Sequence, residues 1–233
     1  MITNKDSKLT LWGCSSPNVV KVRLLLKELG LDYEFKLVDL PNGEQHSEEF
    51  KKNVSINSKV PALRDDSLED GFIIIESCNI LLYLAEKYAK FIPNDTQGRF
   101  DTFFWTFWQT SVLGPNFGNM NYFNIFAETK VPLAIERFTN ETHRLFNVLN
   151  KRLDGRDYVV GDEMTIADFA IYPWARNVVR VPGWSEEFPN VVRYIATVRA
   201  RPAVKEFEEL EAALPKNFDF TPEQKAFLFN RSN

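Results

Sequence analysis

Cysteine and histidine are nearly missing from this chain, with two of each in 233 residues. Cys14 and Cys78 are too few for a disulfide framework and wrongly spaced for zinc. His46 and His143 lie far apart without thiol or carboxylate partners at ligand spacing, so no metal is expected. Basic charge is not in excess either: 28 Lys and Arg against 32 Asp and Glu leave a net charge of -4. A nucleic-acid partner, which needs many clustered positive charges, is therefore not expected. No apolar run approaches the length of a bilayer span, and the opening Met-Ile-Thr-Asn-Lys-Asp-Ser-Lys contains no apolar stretch. No membrane partner is expected, and the cytoplasm is the expected compartment. What remains is 44% apolar and 26% charged residues, enough for one large domain or two modest ones with a real core.

The pattern changes character near residue 90. Leu9–Trp12 reads as a buried strand and Gly13–Ser16 as a loop of small residues. Val19, Val22, Leu25, Leu26 and Leu29 then recur at helical spacing, with Gly30 as the stop. Tyr33–Val38 is a second strand, which makes a β-α-β opening with a right-handed crossover. Residues Glu44–Ser55 read as loop and short helix. Two short strands flank an acidic turn from Asp65 to Gly71, and a helix runs from Glu76 to about Tyr88 with Ile80, Tyr83, Leu84 and Tyr88 on one face. The expected domains are 1–90, α/β; a linker, 91–95; and 96–233, all helical.

In the second half, Phe100, Phe103, Phe104, Phe107 and Trp108 form one apolar stripe on a helix expected to end near Gly114-Pro115. Core or dimer packing explains that stripe better than a ligand box. Asn116–Phe126 reads as a loop, and Val131–Leu153 as a long helix. Thr165 and Asp168 form a capping-box pattern, in which each side chain satisfies the other's free N–H at a helix start. Helices from Pro189 and Pro202 follow, each opened by a proline suited to a first turn. The tail carries Phe218, Phe220, Phe227 and Phe229, too many for a wholly solvated end, so part of it should pack back on the body.

The stretch from Asn57 to Ser77 carries the chemistry. Proline at the mouth of a strand ends the ladder, and an X-Pro bond is where a cis peptide is cheap, so Val60 before Pro61 is able to turn its N–H and C=O outward. That makes a docking edge for another peptide backbone. Glu76-Ser77 sits where a strand feeds a helix, so free N–H groups and the helix dipole suit a carboxylate. A ligand with both a peptide backbone and an α-carboxylate satisfies the two together, and glutathione is such a ligand.

Val60-Pro61, Glu76-Ser77, the Thr165–Asp168 box and the domain order together resemble the glutathione transferase superfamily over nearly the whole chain. Ser16-Pro17-Asn18, Val38-Asp39-Leu40, Leu113-Gly114-Pro115, Ile135-Glu136-Arg137-Phe138 and Leu149-Asn150-Lys151-Arg152-Leu153 look most like the nu class and the fungal nitrogen-regulator type. The resemblance implies a thioredoxin-like β-α-β/β-β-α domain followed by an all-α domain, and a homodimer. It puts Ser16 and Asn18 at the activating position for the glutathione thiolate, Val60 on the cysteinyl backbone and Glu76 with Ser77 on the γ-glutamyl end. It assigns Gln45 and Lys59 to the glycyl carboxylate, and Arg137 to a second glutathione or an acceptor's charge. Pro61, Thr165 and Asp168 are structural. Glutathione enters as co-substrate, with a disulfide or an electrophile as acceptor.

Three departures stand out. Ser16 replaces the usual threonine, Ile56 stands where proline is common, and the Asn116–Phe123 segment has different side chains. Other readings stay open. Ser16 and Asn18 also suit a plain helix cap. Cys14 is a second candidate nucleophile, although a free cysteine is more often a small buried hydrophobe. Arg137 has Glu141 one turn on as a salt-bridge partner, and Lys59 suits a solvated face. Disulfide reduction is the expected reaction, with conjugation and peroxidase activity as further uses of the same thiolate; the alternative class is a non-catalytic glutathione-binding regulator.

Overall fold

A computed structural model describes residues 8–68, 70–212 and 220–229. By contacts the chain forms two compact units, one reaching Tyr83 and joined by the residues from Ala203 onward, the other Leu84–Pro202. The expected domains broke at 90 and kept the C-terminal segment with the second.

The first unit is built on a four-stranded sheet. Strand β1 (Leu9–Gly13) leads to helix α1 (Pro17–Glu28), strand β2 (Glu34–Leu37) and helix α2 (Glu48–Asn53). Strands β3 (Ala62–Asp65) and β4 (Phe72–Ile75) then form the expected hairpin, and helix α3 (Ser77–Tyr88) follows. The spatial order is β2-β1-β3-β4, with β1 and β2 parallel and the other pairs antiparallel. Every residue of α1 from Val19 to Leu26 is buried, the charged Lys21 and Arg23 included. Side chains such as Leu24, Leu25 and Leu26 each contribute about 1.5–3 kcal/mol through that burial. Gly13 lets the helix approach so closely, since a Cβ there would lie 2.5 Å from a Val19 methyl.

The second unit is helical. It comprises α4 (Thr96–Trp108), α5 (Gly114–Asn121), α6 (Pro132–Arg152), α7 (Ile166–Ala175), α8 (Trp184–Glu187) and α9 (Pro189–Arg199). Helix α7 is the core element, buried along nearly its whole length. The Thr165–Asp168 box forms at its start: the Asp168 carboxylate accepts from Thr165 N–H at 2.8 Å, and also from Val159 N–H at 2.9 Å.

Two sequence readings change here. The helix expected to stop at Gly114-Pro115 continues: wide π-type turns at Gln109–Leu113 join α4 to α5, and another at Tyr122–Phe126 ends the run. Pro115 lacks an N–H, and a widened turn beside it absorbs the missing bond. The asparagines that suggested a loop instead return their amide donors to carbonyls four residues back, Asn116 to Val112 at 2.9 Å and Asn119 to Pro115 at 2.9 Å. Of the core and dimer readings of the aromatic stripe, core does not hold for three of its five members. Phe100, Phe104 and Phe107 are 65%, 57% and 60% exposed, because α4 turns Thr102, Trp105 and Thr106 inward.

Helix α10 (Pro202–Ala212) leads to α11 (Pro222–Phe229), which packs on the short 3-10 turn Leu40–Asn42 of the first unit. The tail therefore does fold back, although Phe218 lies outside the described residues, as does Glu69 in the acidic turn. Among the described residues no helix is long and apolar enough to cross a membrane.

Candidate functional site

Strand register gathers the predicted residues of the first unit at one end of the sheet. Trp12 pairs with Ala62, Ala62 with Ile75, and Gly13 with Leu37. One residue further on, the chain reaches the Cys14–Ser16 loop after β1, Val60-Pro61 before β3, Glu76-Ser77 after β4, and the segment leading to Gln45 after β2. Val38 N–H donating to Gly13 O at 2.9 Å ties the last of these to β1.

Ser16 is the N-cap of α1, with extended backbone (φ -123°, ψ 153°), but its side chain makes no capping bond to the helix. It bonds instead to the thiol of Cys14. Asn18 is the second residue of the helix and half-buried. Burial pushes the Cys14 thiol up from its ordinary pKa; the Ser16 bond pulls part of that back, and the charge of Glu211 adds to the rise. Cys14 is thus held protonated, which makes it a poor nucleophile. Glu211, on α10, accepts from the Ser15 hydroxyl at 2.8 Å and lies 3.6 Å from the Arg23 guanidinium.

The peptide bond between Val60 and Pro61 is cis, Val60 is half-buried and Lys59 is exposed. Glu76 holds a left-handed backbone (φ +70°), which stops β4 and opens α3 one residue later, at Ser77, than the pattern predicted. Its carboxylate is exposed and accepts from the Asn57 amide at 3.2 Å. Ser77 is 7% exposed, and its oxygen accepts from Lys21 Nζ at 3.2 Å. The Glu76 carboxylate and the Lys21 amine therefore flank the start of α3.

Gln45 is buried, with its Nε2 3.5 Å from the carbonyl of Phe227 on α11 and its Oε1 without a partner. His46 Nε2 lies 3.2 Å from the same carbonyl. Arg137 belongs to the other unit, exposed on α6. The suggested pairing with Glu141 goes to Arg144 instead, through two nitrogens at 2.7 and 2.8 Å. Among the described residues no group of three or more His, Cys, Asp or Glu is placed to hold a metal ion.

Models of the glutathione S-transferase N-terminal and C-terminal domains match residues 7–86 and 121–202. The chain belongs to the glutathione S-transferase family. Among family members it is 40% identical over 198 residues to the disulfide-bond oxidoreductase YfcG of Escherichia coli K12, spanning 84% of this chain and 92% of that protein. A Burkholderia graminis glutathione transferase crystallised with two glutathione molecules per subunit superposes with a TM-score of 0.80 at 36% identity, 88% of each chain being covered. The glutathione transferase URE2P6 of Phanerochaete chrysosporium, in complex with oxidised glutathione, gives 0.84 at 32% identity over 90% of this chain and 99% of that one.

Lys21, Asn57 and Glu211 were not singled out from the sequence. The visible signal for Lys21 was its place inside the apolar run Val19-Val20-Lys21-Val22, where a charge reads as a solvated face until both sides of the helix prove covered.

Proposed function

We propose that this family member is a glutathione-dependent disulfide reductase. The observation that carries the reading is the strand register, which brings the Ser16 loop, the Val60 edge and the Ser77 helix start to one end of one sheet. An extended tripeptide would lie along Val60, its γ-glutamyl end on Glu76 and Ser77 and its glycyl carboxylate toward Gln45 and Lys59. Its sulfur would then face Ser16 and Asn18. A free thiol titrates near ~8.5, and a hydroxyl donor, an amide donor and the positive end of α1 each favour the anion.

In the proposed reaction the glutathione thiolate attacks one sulfur of a disulfide, forming a mixed disulfide and releasing the other sulfur as thiolate, which takes up a proton. A second glutathione thiolate then attacks the glutathione sulfur of the mixed disulfide, giving oxidised glutathione and the second free thiol. No cysteine of the protein takes part, which agrees with a Cys14 thiol held protonated. Arg137, exposed on α6, is the proposed anchor for an anionic group of the second glutathione. The exposed Phe100, Phe104 and Phe107 support a homodimer, since such a stripe is the kind of surface that an equivalent copy covers.

The test is reduction of hydroxyethyl disulfide with glutathione as donor. Turnover is expected, with Ser16→Ala lowering kcat/KM about tenfold or more, the loss of a donor at developing negative charge. Absence of turnover despite glutathione binding overturns the proposal and favours a binding protein.

A further inference from the structure

The carboxylate seat at the head of α3 has a buried cation behind it. Lys21 is 1% exposed on α1, and its Nζ lies 3.2 Å from Ser77 Oγ and 3.7 Å from Cys78 Sγ. We propose that Lys21 is the positioning residue of the γ-glutamyl seat: it aims the Ser77 hydroxyl at the ligand's α-carboxylate and lends that carboxylate a positive charge. The inference rests on the glutathione site proposed above and adds to it a residue.

The argument starts from hydrogen-bond valence. A serine hydroxyl has one proton to give and two lone pairs to receive with. An amine nitrogen at 3.2 Å donates into one of those lone pairs, so the Ser77 proton turns away from Lys21. Ser77 is the first residue of α3, where the backbone N–H groups of the opening turn have no intrahelical partner, so hydroxyl and amides are available to the same anion. A cation that donates to the hydroxyl oxygen polarises its O–H and strengthens the bond to the carboxylate, the cooperative strengthening along such a chain being about 10–30% per bond. Desolvation pulls the Lys21 pKa down, while the neighbouring Cys78 sulfur and, less, the charge of Glu76 pull it up, and a carboxylate docked at Ser77 would act in the same upward direction.

Charge order specifies the ligand class further. Glu76 is exposed and held by Asn57 at 3.2 Å, which presents a negative group at the rim, while Lys21 lies below the hydroxyl. Negative rim and positive floor fit a zwitterionic α-amino-acid head, whose ammonium meets Glu76 and whose carboxylate meets Ser77. A lone carboxylate would gain from the floor only and be opposed by the rim. This charge order agrees with the γ-glutamyl head already assigned to the seat.

The experiment is calorimetric titration of the full-length protein with glutathione and with its analogue carrying an amide in place of the γ-glutamyl α-carboxylate. Lys21→Met is expected to weaken glutathione binding about tenfold or more but to change the amide analogue's binding no more than about twofold. In a Ser77→Ala background the same substitution is expected to cost about threefold or less, because the hydroxyl it aims is gone. Lys21→Gln, which keeps a neutral donor, should fall between wild type and Lys21→Met, and it carries the comparison if the methionine variant melts well below wild type. Equal losses for the two ligands, an unchanged glutathione affinity, or a full loss in the Ser77→Ala background overturns the inference. Failure of the wild-type protein to bind glutathione removes the site reading itself, an outcome distinct from these.

Discussion

Gln45 and Phe227, 182 residues apart in sequence, meet through the Gln45 side-chain amide and the Phe227 carbonyl at 3.5 Å, and the Phe227 ring fills the space where a Cβ on Gly43 would stand. The glutamine assigned to the glycyl carboxylate is thus already engaged by the C-terminal helix. A long neutral bond shared with a ligand adds little, whereas a hydroxyl backed by a buried cation adds more. Gln45→Ala is therefore expected to weaken glutathione binding by about threefold, and Ser77→Ala by about tenfold or more. Titration calorimetry on the two variants checks the order, and a larger loss at Gln45 would reverse the ranking of the two ends of the site.

Cys14 sits two residues before Ser16, and its thiol is held up by burial and by Glu211. A protonated thiol is neither a good nucleophile nor a fast alkylation target. Cys14→Ala is expected to keep disulfide-reductase kcat/KM within about threefold of wild type. Iodoacetamide at neutral pH should label Cys14 more slowly than it labels free glutathione. Loss of activity in this variant, with Ser16→Ala left active, would transfer the chemistry to the protein's own sulfur.

The thioredoxin-like half was legible because its signals are local: a buried strand, a small-residue loop, an apolar helix stripe closed by Gly30, and a proline at the mouth of β3. Each fixes a backbone state whatever the rest of the chain does. The second half misled where a side chain has two uses. Asn116 and Asn119 read as loop formers, yet inside a covered helix the same amides bond to carbonyls four residues back. Phe100, Phe104 and Phe107 read equally as core, since spacing records which side chains share a face and not which face is covered. Lys21 misled for the converse reason: a charge inside an apolar run reads as a solvated face, whereas its burial comes from elements far away in sequence.

The exposed face of α4 supplies a further prediction. Phe100, Phe104 and Phe107 repeat every three to four residues and stay more than half exposed in the single chain. Replacing Phe104 and Phe107 with Arg puts charge on that stripe while sparing the inward Trp105 and Thr106. Light scattering is expected to show the wild-type protein as a dimer of 27.0 kDa chains and the double variant as a monomer with unchanged helical circular dichroism. A variant that stays dimeric would place the contact elsewhere.

Asp168 makes stability depend on pH in a sense opposite to that of an exposed, ion-paired carboxylate. It is fully buried, and desolvation raises its pKa from 3.8 to about 6 despite the bonds it accepts from Thr165 and Val159. Below about pH 4 the carboxyl is protonated in both the folded and the unfolded chain. Between the two pKa values the folded chain keeps the proton and the unfolded chain has lost it, so rising pH favours unfolding. Above about pH 6 both are ionised and the difference is constant. A gap of about two pKa units corresponds to about 3 kcal/mol of stability present at low pH and lost by neutrality. Asp168→Asn removes that titration, because an amide binds no proton in this range. Urea unfolding of both proteins from pH 4 to pH 7 should therefore show the wild-type advantage shrinking by about that amount as pH rises. A difference that grows with pH would mean that the capping N–H groups outweigh desolvation and hold the carboxylate ionised throughout.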